Sequence, residues 1–188
     1  MNRLLSCLLA SLCLGMSTLA AGAADDTKRT REFALRGDPV AQFFLGLHYY
    51  EGFGGVSKDR SEAAKWWRKS AEQSYPDAEM SLGDLYYKGE GVSQDYDEAF
   101  KWFKRAAMHG ESMSCVRLST MYMKSQGVAL DLVQAYAWLS IYRPSDENSR
   151  NKQRQFLSVM EAKFSASQLL KAKTMADELR AEIRSNSK

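Results

Sequence analysis

Between residues 38 and 142 the apolar positions of the chain recur with a fixed period. Ala78, Leu82, Tyr86, Gly91, Val92, Asp95, Ala99 and Trp102 return thirty-six positions later as Ser114, Leu118, Tyr122, Gly127, Val128, Asp131, Ala135 and Trp138, and only the first of these eight changes identity. The same frame runs backwards through Val56, Asp59, Ala63 and Trp66, and through Ala41, Leu45, Gly46, Tyr49 and Gly52 once one extra glycine at Gly54-Gly55 is allowed. Inside each period the spacing is helical. Ala99, Trp102, Phe103, Ala106 and Ala107 fall at i, i+3, i+4, i+7 and i+8, which is one face of an amphipathic helix. Each period therefore predicts two helices joined by a turn. No single pair can bury its own face, so the units must stack.

The turns and helix starts carry their own signals. Gly52 and Gly89 stand where a first helix must end in a left-handed residue, a conformation that glycine adopts without a steric penalty; the third copy has Ser125 there. Each second helix opens with an Asp followed three residues on by Glu or Gln: Asp59 and Glu62, Asp95 and Glu98, Asp131 and Gln134. This is capping-box spacing, and it predicts that both side chains satisfy free amides of the first turn.

The two ends depart from the period. At the front, Glu32 to Asp38 reads as the tail of a preceding helix that stops at Gly37 and caps the first pair. At the back, Pro144 ends the array, and a polar stretch from Ser145 to Arg154 leads to a helix carrying Phe156, Leu157, Met160 and Phe164. A last helix begins at Ser165, whose spacing to Gln168 is again a capping box. It carries a single apolar stripe of Leu169, Ala172, Ala176, Leu179 and Ile183. That stripe is expected to lie on the third repeat as a lid. The alternative is a partner-binding or dimerising helix, since alternating steps of three and four also describe a coiled-coil seam.

The first residues bear on compartment. Met1 to Arg3 is a short positive start, Leu4 to Leu19 is an apolar run rich in leucine, and Ala21-Gly22-Ala23 has the small-x-small pattern of a cleavage site. Residues 1–24 are read as a cleaved signal peptide rather than a membrane anchor, because the run is shorter than the roughly 20 residues that span a bilayer. About 164 residues remain, with 25 basic and 23 acidic side chains. No second apolar span follows, and a balance so near neutrality gives no case for nucleic acid or a charged membrane surface.

Candidate chemistry is sparse. Cys7 and Cys13 leave with the signal segment, so Cys115 remains as a lone thiol that cannot form an internal disulfide. His48 and His109 are the two histidines; they sit in different copies without metal-ligand spacing, and His109 stands where an imidazolium would favour a helix C-terminus. Gly52-Phe53-Gly54-Gly55 lacks the strand and the Gly-Lys-Ser/Thr signature of a phosphate loop. Acidic pairs such as Asp95 and Glu98 recur in every copy, in step with the fold, whereas an active site is normally unique. We read no catalytic residues, no metal site and no cofactor.

The pattern A-x-x-x-L-G-x-x-Y-x-x-G, then G-V-x-x-D-x-x-x-A-x-x-W, then a small-residue helix ending in glycine resembles the Sel-1-like repeat family, a tetratricopeptide-like class. Ala41 to Ala71 and Ala78 to Gly110 carry the match, while the third copy has Ser119 for the glycine of L-G and Ser125 for the turn glycine. The resemblance implies an all-α fold: a right-handed α/α superhelical solenoid of about three helix pairs, with an N-terminal capping helix and two C-terminal helices. The expected segments are 25–37 for the cap, 38–75, 76–110 and 111–143 for the repeats, and 144–188 for the C-terminal section.

In related helix-pair repeats the first helices line the concave side. That frame singles out Phe43, Leu47 and Tyr50, then Met80, Asp84 and Tyr87, then Val116, Thr120 and Met123, with Lys88 and Lys124 at the rim. Each set has i, i+4, i+7 spacing and shares one helical face. An apolar and aromatic groove of this kind suits an extended or helical peptide segment. The resemblance also implies envelope work, so the expected function is a periplasmic or secreted, non-catalytic adaptor that binds a protein or peptide partner. The alternative is an envelope hydrolase or peptidoglycan-binding enzyme. Cysteine-rich members of the family are linked to cell-wall precursors or β-lactams, but this sequence lacks the cysteine pairs that mark them.

Overall fold

A computed structural model describes residues 26–186, and the segment read as a signal peptide lies outside them. Every regular element among the described residues is an α-helix. After α1 (residues 26–35) come α2 (Pro39–Glu51), α3 (Arg60–Glu72), α4 (Pro76–Lys88), α5 (Tyr96–Met108), α6 (Ser112–Lys124), α7 (Leu132–Ile141), α8 (Glu147–Glu161) and α9 (Ala166–Asn186). Two compact units divide the chain, one ending at Ser70 and one starting at Ala71, so the boundary falls inside α3.

In the first unit α1 packs on the first repeat, with Ala34, Leu45 and Trp66 buried together and Ala41 and Tyr49 beside them. The predicted N-terminal cap is thus a helix in contact with α2. In the second unit α4 and α5 pair, α5 meets α6, and α6 pairs with α7. Phe103, Leu118, Met121, Trp138 and the small residues Ala99, Ala107 and Ala137 form its main core. All five residues of the α5 stripe are buried, as the spacing predicts.

The turn glycines behave as expected: Gly52 and Gly89 are left-handed at φ 76° and 71°, and Ser125 takes the same conformation at φ 54°. The caps correct the sequence reading in one respect. Asp59 accepts from the Glu62 amide at 2.9 Å, Asp95 from the Glu98 amide at 3.0 Å, and Asp131 from the amides of Val133 and Gln134 at 2.9 and 3.0 Å. The return arm is missing in the first two copies, where Glu62 and Glu98 pair with Lys65 and Lys101 instead. The reason is geometric. The amides that Glu62 and Glu98 would reach belong to Asp59 and Asp95, and these donate instead to the carbonyls of Tyr49 and Tyr86. At Ser165 no such carbonyl intervenes and both arms form, at 2.9 and 3.2 Å.

The C-terminal section also differs from expectation. Residues read as a polar lead-in are already the first turns of α8, which starts at Glu147 with Asp146 accepting from the Ser149 amide at 2.8 Å. Polarity there marks a solvated helix face, laced by Glu147 with Arg150 and Arg154, and not a loop. Phe164 falls beyond the end of α8 and packs with Tyr136, Met160 and Leu169. Helix α9 lies on α7 and touches α5, burying Ala172 and Ala176 and laying Leu169, Leu179 and Ile183 against the core, so the stripe serves as a lid.

One inward position is solved three ways. Gln42 is buried and its amide donates to the carbonyl of Ala34 at 3.1 Å. Its counterpart Glu79 is fully buried and held by Arg105 at 3.0 Å and His109 at 2.8 Å. In the third repeat the position is Cys115, which is also buried but makes no ionic demand.

Candidate binding site

The first-helix residues singled out from the sequence meet different neighbours in each repeat. In the first, Phe43 stacks on Trp67 at 6.3 Å between centroids and Tyr50 lies 5.3 Å from the same ring. The Trp67 indole donates to the carbonyl of Phe43 at 3.0 Å and presses on Gly46, where a Cβ would stand 2.4 Å from the ring. Leu47 is half-buried beside them.

In the second repeat the fully buried Phe103 takes the place of Trp67, and a Cβ on Gly83 would come within 2.8 Å of it. Tyr87 lies 6.4 Å from that ring, meets Tyr96 edge-on, and donates its hydroxyl to Gln126 at 2.8 Å. Met80 packs on the main core. Asp84 is ion-paired with Arg117, whose Nη2 donates to Oδ2 at 3.1 Å while its Nε stands 2.9 Å from Oδ1, which fixes α4 to α6. Of the second set only Lys88 is exposed. Asp84 and Tyr87 therefore tie the second repeat to the third and Met80 packs on the core, while Phe43 and Tyr50 pack within the first repeat.

The third repeat is different. Val116, Thr120 and Met123 line a cavity of about 350 Å³ together with Met113, Ser119, Leu139 and Tyr142, and α8 supplies Ser149, Lys152, Gln153 and Phe156. The volume falls at the lower end of the roughly 300–1,000 Å³ of ligand sites. Position by position, Val116, Ser119, Met123 and Leu139 stand where the first repeat has Phe43, Gly46, Tyr50 and Trp67, and where the second has Met80, Gly83, Tyr87 and Phe103. The rings that fill this space in the earlier copies are absent, and Leu139 does not reach as far. Gln153 anchors α8 over the site by donating to the carbonyls of Leu139 and Tyr142 at 2.7 and 3.0 Å. Of this lining, Val116, Thr120 and Met123 lie on the face that the repeat spacing marks, whereas Ser119, Leu139 and the α8 residues do not, although the loss of the L-G glycine in copy three signals a change there.

The titratable groups have local partners. His48 pairs with Thr27 at 3.0 Å, and burial lowers its pKa. His109 is oriented by Glu79, whose pKa burial raises against the opposing pull of His109 and Arg105. A second cavity of about 420 Å³ brings His109 near Ser112 and Cys115. Neither is an activated nucleophile: Ser112 is bonded to the backbone of Arg143, and burial pushes the Cys115 thiol up to about 12. Among the described residues no cluster of three or more His, Cys, Asp or Glu could hold a metal, and no helix is long and apolar enough to cross a membrane.

Paired helices with left-handed turns and small-residue faces, recurring along the chain, define an α/α solenoid repeat protein. The chain belongs to the Sel1 repeat family, whose model matches residues 39–75, 76–111 and 112–141. It is similar to the ERAD-associated E3 ubiquitin-protein ligase component HRD3A of Arabidopsis thaliana, 31% identical over 69 residues that make up 36% of this chain and 10% of that protein. Among solved structures it is similar to a Sel1 repeat protein from Oxalobacter formigenes, with a TM-score of 0.66 and 35% identity over 83% of this chain and 64% of that one. It also shares its fold with c5321, described as a protective antigen of uropathogenic Escherichia coli strains, at a TM-score of 0.61 and 24% identity over 86% and 42% of the two chains. The chain thus spans a tenth of HRD3A and less than two thirds of either solved relative.

Proposed function

We propose that this chain is an exported, non-catalytic adaptor of the bacterial envelope that holds a protein or peptide segment against the first helix of its third repeat. Sel1 repeat proteins generally mediate protein–protein interaction, and the observation that carries the reading to a site is the cavity between α6 and α8. Three of the residues marked on the first-helix faces, Val116, Thr120 and Met123, converge there with Phe156, which is 43% exposed. Exposed apolar surface around a formed cavity is where a partner gains most from burial. Export rests on the signal-like start of the sequence.

The test has two arms. The full-length protein carrying a C-terminal tag is expected in the periplasm or medium in a form shortened by about 24 residues. Capture from the envelope fraction with wild type and with Val116→Glu should lose the bound protein in the variant while circular dichroism stays native. Retention in the cytoplasm, or capture indifferent to Val116→Glu, overturns the reading. Tyr50 and Tyr87 are unsuitable probes, because both are engaged in packing.

A further inference from the structure

We infer that the third-repeat cavity is a receptor for one aromatic side chain of a partner, a tryptophan or tyrosine with an acidic neighbour. The inference rests on the adaptor reading and names what its site would grip.

The internal comparison supplies the shape. In the first two repeats a ring from the second helix presses on a glycine of the first, Trp67 on Gly46 and Phe103 on Gly83, with a tyrosine ring alongside at 5.3 and 6.4 Å. In the third, Leu139 replaces the ring, Met123 replaces the tyrosine and Val116 replaces Phe43 or Met80. The space these side chains leave has the chemistry of a ring site without its ring. Met113 and Met123 border it, and thioethers are adaptable walls that make favourable contacts with aromatic edges.

The polar atom supplies the choice among rings. Ser119 lines the cavity, is 1% exposed, and its hydroxyl has no hydrogen-bond partner among the described residues. A buried hydroxyl without a partner is unfavourable, and a ligand group that bonds it recovers that loss. In the first repeat the ring nitrogen is satisfied by the carbonyl of Phe43, but the matching carbonyl of Val116 already accepts from Thr120 at 2.9 Å. An incoming indole N–H or phenol O–H bonds Ser119 once its hydroxyl, shielded in the cavity wall, turns toward the ring. Lys152 is the one charged residue on the cavity lining; the Asp146 carboxylate, which its charge helps to keep ionised, lies off that lining and is engaged in capping α8, so an acidic residue flanking the aromatic complements the rim.

The mature protein, labelled with nitrogen-15, is titrated with N-acetyl-L-tryptophanamide, N-acetyl-L-tyrosinamide and N-acetyl-L-leucinamide while amide shifts are followed by NMR. The first two should give saturable shifts at Val116, Ser119, Met123 and Phe156, with the leucine amide at least about tenfold weaker. The double variant S119G/L139F restores the pair found in the second repeat and should lose these shifts. Met123→Tyr, which restores the neighbouring ring, is the second variant should the double one unfold, and it should weaken binding too. Ser119→Ala should weaken the tryptophan and tyrosine amides several-fold and leave N-acetyl-L-phenylalaninamide unchanged.

Equal binding of the leucine amide, or undiminished binding by a folded refilled variant, overturns the aromatic receptor. The adaptor reading fails separately. If the amides bind as expected but partner capture ignores Val116→Glu, the slot stands and the adaptor site falls. If capture is lost in Val116→Glu yet no aromatic preference exists, the adaptor stands and this inference falls.

Discussion

Tyr49 and Asp59 are joined across the turn of the first repeat by a 2.8 Å bond from the Asp59 amide to the Tyr49 carbonyl. Tyr86 and Asp95 repeat it at 3.0 Å, and Tyr122 and Asp131 at 3.3 Å. One residue thus ties its backbone to the end of the first helix while its carboxylate caps the second. The turn is closed from both sides.

Removing such a cap should therefore matter more than removing the Glu three residues on. Asp131→Ala leaves the amides of Val133 and Gln134 without their acceptor and is expected to lower stability by about 1 kcal/mol. Glu98→Ala breaks only an exposed pair with Lys101 and should leave stability nearly unchanged. Urea unfolding of both variants checks the contrast.

The two glycines under the rings should resist substitution where the third-repeat serine does not. Gly83→Ala brings a Cβ within 2.8 Å of Phe103 and should cost about 1–3 kcal/mol by overpacking, with Gly46→Ala at least as severe at 2.4 Å from Trp67. Ser119→Ala removes a buried hydroxyl that has no partner and should instead gain about 1 kcal/mol. Thermal unfolding separates the signs.

Asp146 gives α8 a dependence on acid. The amide and side chain of Ser149 hold the Asp146 carboxyl below the usual carboxylate range. A depressed folded pKa means that the stabilisation is present above the ordinary Asp value of about 3.9 and is lost as pH falls through the lower folded value. The protection of α8 amides, measured against their intrinsic exchange rates, should fall in wild type as pH drops below about 4. Asp146→Asn, a cap that does not titrate, should show a smaller loss of protection over the same range.

Cys115 should be silent toward alkylation. Its thiol is 3% exposed and carries a pKa of about 12, so almost no thiolate exists at pH 8. Iodoacetamide should label the folded protein at a rate set by unfolding, and label it rapidly in urea. Mass spectrometry of the two time courses decides the matter, and fast labelling of the native form would contradict the buried placement.

The helix pairs were legible because period, caps and turn glycines all point the same way. The polar start of α8 was not, since a solvated helix face with no apolar stripe has the composition of a loop until its cap and ion pairs are seen together. The site was legible in part for a related reason. Spacing placed Phe43, Met80 and Val116 on equivalent faces, but spacing cannot report that Trp67 fills the first of these places while Leu139 leaves the third open. Whether a face is a core or a cavity depends on the volume of residues from another helix, and α8 lies outside the repeat frame altogether.

The inward position occupied by Gln42, Glu79 and Cys115 bears on how such an array can change over generations. The carboxylate of Glu79 is tolerated because Arg105 and His109 stand on the next helix, whereas the third repeat has Ile141 and Ser145 at those places. A recombination that joined the second first-helix to the third second-helix would strand a buried charge opposite an isoleucine. The copies share one pattern yet are not interchangeable, and a single inward residue sets which second helix each first helix can accept.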